Sequence, residues 1–263
     1  MTKVLTEATC VTSCCSGFYE LPLTRLLLGS SYHPGGLELT DKLARAVALG
    51  PRDKVCDIAS GRGDTALHLL KKYGSQVVGL DYSEDQVQKA NARAQEQNMD
   101  HRVSFVQGDA GYLPFSDGAF NIAFCECALC TFPQRIQAVK EVHRILDNRG
   151  ILALSDVVLN RPLPDELQGI VGQVLCISGA LSVEGYHDVL REGGFDNIHY
   201  RDESDSLVLL IAQIESRLSK VAEMDSSEFV EGLDLLEMKE TLGAAREFVL
   251  AKGLGYATFV AKK

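Results

Sequence analysis

The chain alternates short apolar runs with longer stretches in which apolar residues recur every three or four positions, the pattern of buried strands packed against helices. Val55, Cys56 and Ile58 read as the end of a buried strand, and Ala66, Leu67, Leu69 and Leu70 as the apolar face of the helix that follows. Further strands are expected at 76–80, 103–106, 120–124, 151–154, 195–200 and 256–260. Helices are expected at 40–49, with Thr40 as its cap and Gly50 and Pro51 as its stop, and at 83–97, where Ser83 and Gln86 have capping-box spacing. Two more fall at 134–147, where Ile136, Val139, Val142 and Ile145 share a face, and at 181–190, closed by Gly193 and Gly194. Residues 206–252 are charged, proline-free and helical in period, an insertion before the last strand. Strand and helix in alternation predict an α/β, doubly wound, mostly parallel sheet.

The chemistry concentrates at KVCDIASGRGD, residues 54–64, where an apolar run reaches an acid and opens into a glycine-spaced turn. Gly61 and Gly63 supply backbone that tolerates positive φ and lets a ligand approach the main chain. Gly61, Gly63 and Ala66 also satisfy G-x-G-x-x-A, so an NAD-dependent oxidoreductase is a competing reading. Asp57, at the strand end, opposes a pyrophosphate and favours a cation. S-adenosylmethionine, with an ammonium and a sulfonium, meets that demand. Asp81 ends the second strand, where an acid takes the hydroxyls of a ribose in either cofactor class. Gly108, Asp109 and Ala110 end the third.

DIASGRG at 57–63, LDYS at 80–83, GDAGYLPFSDGAF at 108–120 and LDNRGILALSD at 146–156 resemble the class I S-adenosylmethionine-dependent methyltransferases. The resemblance implies a Rossmann-like seven-stranded sheet whose last two strands form a hairpin antiparallel to the rest. It also implies Asp57, Gly61 and Gly63 around the methionine end of the cofactor, Asp81 on the ribose, and Asp109 with Ala110 at the adenine; Tyr82 is a candidate to stack there. Ala59 stands where that family most often has glycine, and slight crowding is the expected cost. Residues 1–40 are expected to form a lid, with Phe18, Tyr19, Tyr32 and His33 as its lining, ahead of a methyltransferase domain at 41–263 that carries the helical insertion at about 204–253. That insertion is a candidate cap or homodimer surface.

The fourth strand runs out into Cys125, Glu126, Cys127 and Cys130, which by the rule for open sheets face the reactive methyl. Cys125, besides lying beside the cofactor, joins Glu126, Cys127 and Cys176 as candidates for the substrate side. Methyl transfer needs alignment above all, worth ~7–11 kcal/mol, so a dedicated base is not required. No metal is expected: a structural zinc wants four ligands, no histidine neighbours the cysteine group closely, and buried free cysteine is a common packing residue. A partial resemblance to arsenite methyltransferases runs through LCISGAL at 175–181 and GYHDVLREGGF at 185–195, placing an arsenic-binding cysteine at Cys176. Soft trivalent arsenic prefers thiolates. Ala66 stands where that family has another cysteine, and none follows Cys176 downstream, so Cys14, Cys15, Cys125, Cys127 or Cys130 would have to substitute.

Composition narrows the partners. A net charge of −10 and the lack of any basic stretch argue against nucleic acid, whose binding draws on clustered Lys and Arg. No apolar run of about eighteen residues and no signal core occur, so a cytoplasmic protein acting on a small molecule is expected, its eight cysteines reduced. The function expected is methyl transfer from S-adenosyl-L-methionine to a small acceptor, a soft thiol or metalloid among the candidates. A relative that binds the cofactor without catalysis is a further alternative.

Overall fold

The computed structural model describes residues 26–29, 32–167, 177, 179–223 and 235–263. Phe18, Tyr19, Cys14, Cys15 and Cys176 lie outside the described residues. Helix α1 (Gly36–Ala46) leads into β1 (Lys54–Ile58), α2 (Asp64–Tyr73), β2 (Gln76–Asp81), α3 (Glu84–Glu96), β3 (Val103–Gln107) and β4 (Phe120–Glu126). Then follow α4 (Arg135–Ile145), β5 (Leu146–Leu159), α5 (Val183–Glu192), β6 (Asp196–Asp202), α6 (Ser204–Glu223), α7 (Leu235–Leu250) and β7 (Leu254–Lys262).

The seven strands form one sheet in the order β3-β2-β1-β4-β5-β7-β6. The order reverses between β1 and β4, which pair in parallel from Val55↔Ile122 to Ile58↔Cys125. A crevice opens there at the carboxyl ends of the strands, the place where such sheets hold ligands. Residues alternate so that Cys56 and Ile58 join a core with Leu80, Ala123, Leu154 and Phe259 on one face, while Val55, Val77, Phe124 and Ala153 meet α1, α2 and α3 on the other.

Several expectations need correction. The first described long helix starts at Gly36, after Gly35 in a left-handed conformation at φ 79°, and ends at Ala46. Thr40 is therefore inside the helix and does not cap it. Strand β5 extends well beyond 151–154, because its outer half is paired with β7 from Ile151↔Lys262 to Leu159↔Leu254. Strands β6 and β7 form no simple hairpin: both helices α6 and α7 lie between them in the chain. Since β7 is antiparallel to β5 and to β6, only β7 runs against the sheet.

The insertion is less polar than its charge implies. Leu207, Leu210, Ile211, Ile214 and Leu218 of α6 join Leu242, Ala245 and Val249 of α7 in one cluster with Leu27, Leu28, Leu39 and Tyr256. Arg217 donates to the Leu27 carbonyl at 2.6 Å. The inserted helices thus hold the segment 26–29 that precedes the cavity wall.

Candidate active site

The glycine loop is shaped by backbone that ordinary residues avoid. Ala59, Gly61 and Gly63 have φ of 57°, 51° and 79°. Ala59 bears a left-handed backbone, which costs an L-residue roughly 1–2 kcal/mol. The two glycines do different work. A Cβ on Gly61 would meet open space, whereas one on Gly63 would lie 2.4 Å from Cζ of Phe105, so Gly63 lets the helix start seat against β3. Gly61 lines the cavity, with Asp57, Ala59 and Ser60; the lining does not include Gly63.

Asp81 ties the loop to its neighbour. Its carboxylate accepts from the Gly61 amide at 2.7 Å and the Ser83 amide at 2.9 Å. Ser83 in turn caps α3, its Oγ accepting from the Gln86 amide at 3.2 Å, as the spacing predicts. Asp81, Tyr82, Ser83 and Gln86 all border the cavity, and Tyr82 is 47% exposed, its ring available to a planar ligand. Asp109 is exposed, accepts from the Gly111 amide at 2.8 Å and, like Ala110, stands outside the cavity lining. Arg144 pins this third loop by donating to the carbonyls of Leu113 and Phe115.

At the other end Glu126 is nearly enclosed, its side chain 4% exposed. It accepts from Thr40 Oγ1 at 3.0 and 3.1 Å and from Thr65 Oγ1 at 2.7 Å, and His33 Nε2 stands 3.6 Å away. Neither Thr40, read from sequence as a helix cap, nor Thr65 was singled out as a site residue. Their signal was a polar side chain on the buried stripe of a helix, beside Leu39 and Leu43 in one case and Ala66 and Leu69 in the other. Tyr32, His33, Cys127, Ala128 and Thr131 complete this end of the cavity.

The cysteines separate. Cys125 is buried among the residues of β1 and β5, and burial, followed by the charges of Asp156 and Asp57, pushes its thiol well up from the usual range. Cys130 is buried with the inserted helices, and Cys127, at φ 54°, is the cavity-lining cysteine among the described residues. Among those residues no group of three or more His, Cys, Asp and Glu side chains is placed to hold a metal ion.

Asp57 is 2% exposed, and one of its oxygens, Oδ2, has no partner. Burial pushes its carboxyl well above the ordinary range, reinforced by the nearby charges of Glu126 and Asp81; the Ala66 amide pulls the other way. Two enclosed acids, Asp57 and Glu126, therefore face a cavity that also holds open space over Gly61. A cation would relieve both, and S-adenosylmethionine fits that charge.

A sheet of this order with such a carboxylate-lined crevice at its switch point defines the Rossmann-like fold of class I methyltransferases. Residues 49–194, more than half of the chain, match the family model described as "Methyltransferase domain", and the chain belongs to that family. It is an enzyme, and S-adenosyl-L-methionine is its methyl donor. The dinucleotide reading of the glycine loop is thereby set aside.

The chain is 29% identical over 229 residues to 27-O-demethylrifamycin SV methyltransferase of Amycolatopsis mediterranei, covering 86% of this chain and 82% of that one. It is 28% identical over 169 residues to an arsenite methyltransferase of Halobacterium salinarum, covering 61% of this chain and 42% of the relative. In fold it is similar to the cyclopropane synthase MmaA2 from Mycobacterium tuberculosis, with a TM-score of 0.78, 16% identity and all of both chains covered. No helix among the described residues is long and apolar enough to cross a membrane.

Proposed function

We propose that the enzyme transfers the methyl of S-adenosylmethionine to a lone pair on a small-molecule acceptor that enters beside Tyr32, Cys127, Ala128 and Thr131. The observation that carries this reading is a single cavity that runs from Asp57, Gly61 and Asp81 to an end where Tyr32, Cys127, Ala128 and Thr131 stand beside Glu126. The acceptor displaces the sulfonium in line, its lone pair forming the new bond to carbon as the carbon–sulfur bond breaks and S-adenosylhomocysteine leaves. Asp57, Ala59, Gly61, Asp81 and Tyr82 hold the cofactor in this reading, with Gly63 shaping the loop and Asp109 and Ala110 bordering the adenine once it is seated.

Two relatives frame the acceptor. The Amycolatopsis enzyme, named for an O-demethylated rifamycin, supports an oxygen acceptor and matches most of both chains. Arsenite is a second reading, favoured by the Halobacterium relative and by Cys127 at the cavity wall. Transfer of labelled methyl groups to a panel of hydroxylated metabolites, thiols, amines and arsenite decides between them. Methylation of an oxygen acceptor with arsenite untouched supports the first reading. Arsenite methylation that is lost in Cys176→Ala and Cys127→Ala supports the second. Cofactor binding with no transfer to any class supports a non-catalytic protein.

A further inference from the structure

At the Tyr32 end of the cavity an imidazole nitrogen stands without a bond. His33 is 7% exposed, and its Nε2 is buried with no hydrogen-bond partner among the described residues. The other ring nitrogen, Nδ1, lies 3.3 Å from the Pro34 carbonyl, an oxygen that can only accept. In the neutral ring this contact places the hydrogen on Nδ1 and leaves the lone pair on Nε2. Glu126 Oε2 stands 3.6 Å from that lone pair, but a carboxylate has no hydrogen to give, and its oxygens already accept from the Thr40 and Thr65 hydroxyls.

Nε2 therefore lacks a donor, and an arriving O–H is one. His33 borders the same space as Cys127, Ala128 and Thr131, where the acceptor enters in the reading above. A neutral hydroxyl becomes an acidic oxonium as its oxygen bonds to carbon, so its proton must leave as that bond forms; a thiolate or an arsenic lone pair carries no such proton. The Thr131 hydroxyl is occupied as a donor, to the Ala128 carbonyl at 2.7 Å. Nε2 is the open acceptor at this end. Once it takes a proton, the imidazolium faces the Glu126 carboxylate, an opposite charge near enough to favour it.

We propose that the acceptor is a neutral hydroxyl compound and that His33 is the general base that deprotonates it. The O–H proton passes to Nε2 while an oxygen electron pair forms the bond to the methyl carbon and the carbon–sulfur pair stays on sulfur. A methyl ether and S-adenosylhomocysteine leave, and the imidazolium returns its proton to solvent. The inference rests on the reading of an oxygen acceptor that enters beside Tyr32 and Cys127, and it adds the group that makes an alcohol or phenol reactive there.

Transfer of labelled methyl groups to glycerol, catechol and 27-O-demethylrifamycin SV, with arsenite and dithiothreitol alongside, is measured in the parent, His33→Gln and His33→Ala. His33→Gln should lower kcat for the hydroxyl compound roughly a hundredfold or more, and leave its KM and the affinity for S-adenosylhomocysteine within about threefold. Added imidazole should restore turnover of His33→Ala about tenfold, because it replaces the base and not the packing. Unchanged S-adenosylhomocysteine affinity shows that each variant is folded around its cofactor. Hydroxyl transfer that survives His33→Gln within about threefold overturns the proposal, as does a loss of turnover that only follows a loss of cofactor affinity. Transfer by the parent to arsenite or dithiothreitol with every hydroxyl compound untouched overturns the oxygen reading itself, and the inference with it.

Discussion

Ala59 and Gly63 show two demands on single residues of the loop, backbone conformation and the space left for a Cβ. Ala59 holds a left-handed φ of 57°, so Ala59→Gly should stabilise the protein by roughly 1 kcal/mol once the extra unfolded-state freedom of glycine is subtracted. A higher urea midpoint at unchanged slope checks it. Gly63→Ala should act the other way, by roughly 1–3 kcal/mol, because its Cβ would enter the Phe105 ring. Asp57 yields a prediction in pH. Its carboxyl is raised by burial and by Glu126 and Asp81, so it favours the protonated form, while a bound cation favours the ionised one. Cofactor affinity should therefore rise as pH climbs through that elevated range, with a proton released on binding, and Asp57→Asn should bind weakly at every pH. Calorimetry in two buffers of different ionisation enthalpy measures the released proton; identical apparent enthalpies would refute it. The acids at 57 and 81 were legible because they fall together at the carboxyl ends of successive strands, where open sheets hold ligands. Thr40 and Thr65 were not, because a threonine reads locally as a helix cap, as Thr40 did, or as a half-polar packing residue until its partner from a distant strand is known.

Helix pairing shows the same division at the level of elements. Asp41 of α1 meets His68 at 2.8 Å, Tyr73 at 2.9 Å and Lys72, all of α2. Burial pushes its carboxyl up, but the three donors outweigh that and hold it at about 2, below its ordinary 3.8. A depressed carboxyl contributes stability that is complete above the unfolded value near 4 and disappears as pH falls through 2. Asp41→Asn should then cost about 2 kcal/mol at neutral pH and flatten the acid limb of the stability curve between pH 4 and 2. Urea titrations across that range test the slope. Helix α3 was legible to its cap, since Ser83 and Gln86 act locally. The start of α1 was not, because its limits depend on Gly35 turning the chain and on Thr40 reaching Glu126.

At the scale of the molecule, the inserted helices are part of the core. Their apolar residues bury Leu27 and Leu28, and Arg217 holds the Leu27 carbonyl, so the wall that bears His33 is anchored from the far end of the chain. Ile211→Ala, at a fully buried position, should cost roughly 2–5 kcal/mol. It should also speed proteolysis ahead of α1 before the parallel strands are lost, which timed digestion would reveal. Charge made residues 206–252 look like an external cap, whereas their three- and four-residue period concealed a face that Leu27, Leu28, Leu39 and β7 complete. Local order was written in the sequence itself: strand and helix periods, the glycine-spaced turn, the acids at the strand ends and the Ser83 cap all act over a few residues. The tertiary structure alone decided which buried polar groups meet, because Glu126, Thr40, Thr65 and His33 come from four separate stretches of chain, and their proximity has no counterpart in any local pattern.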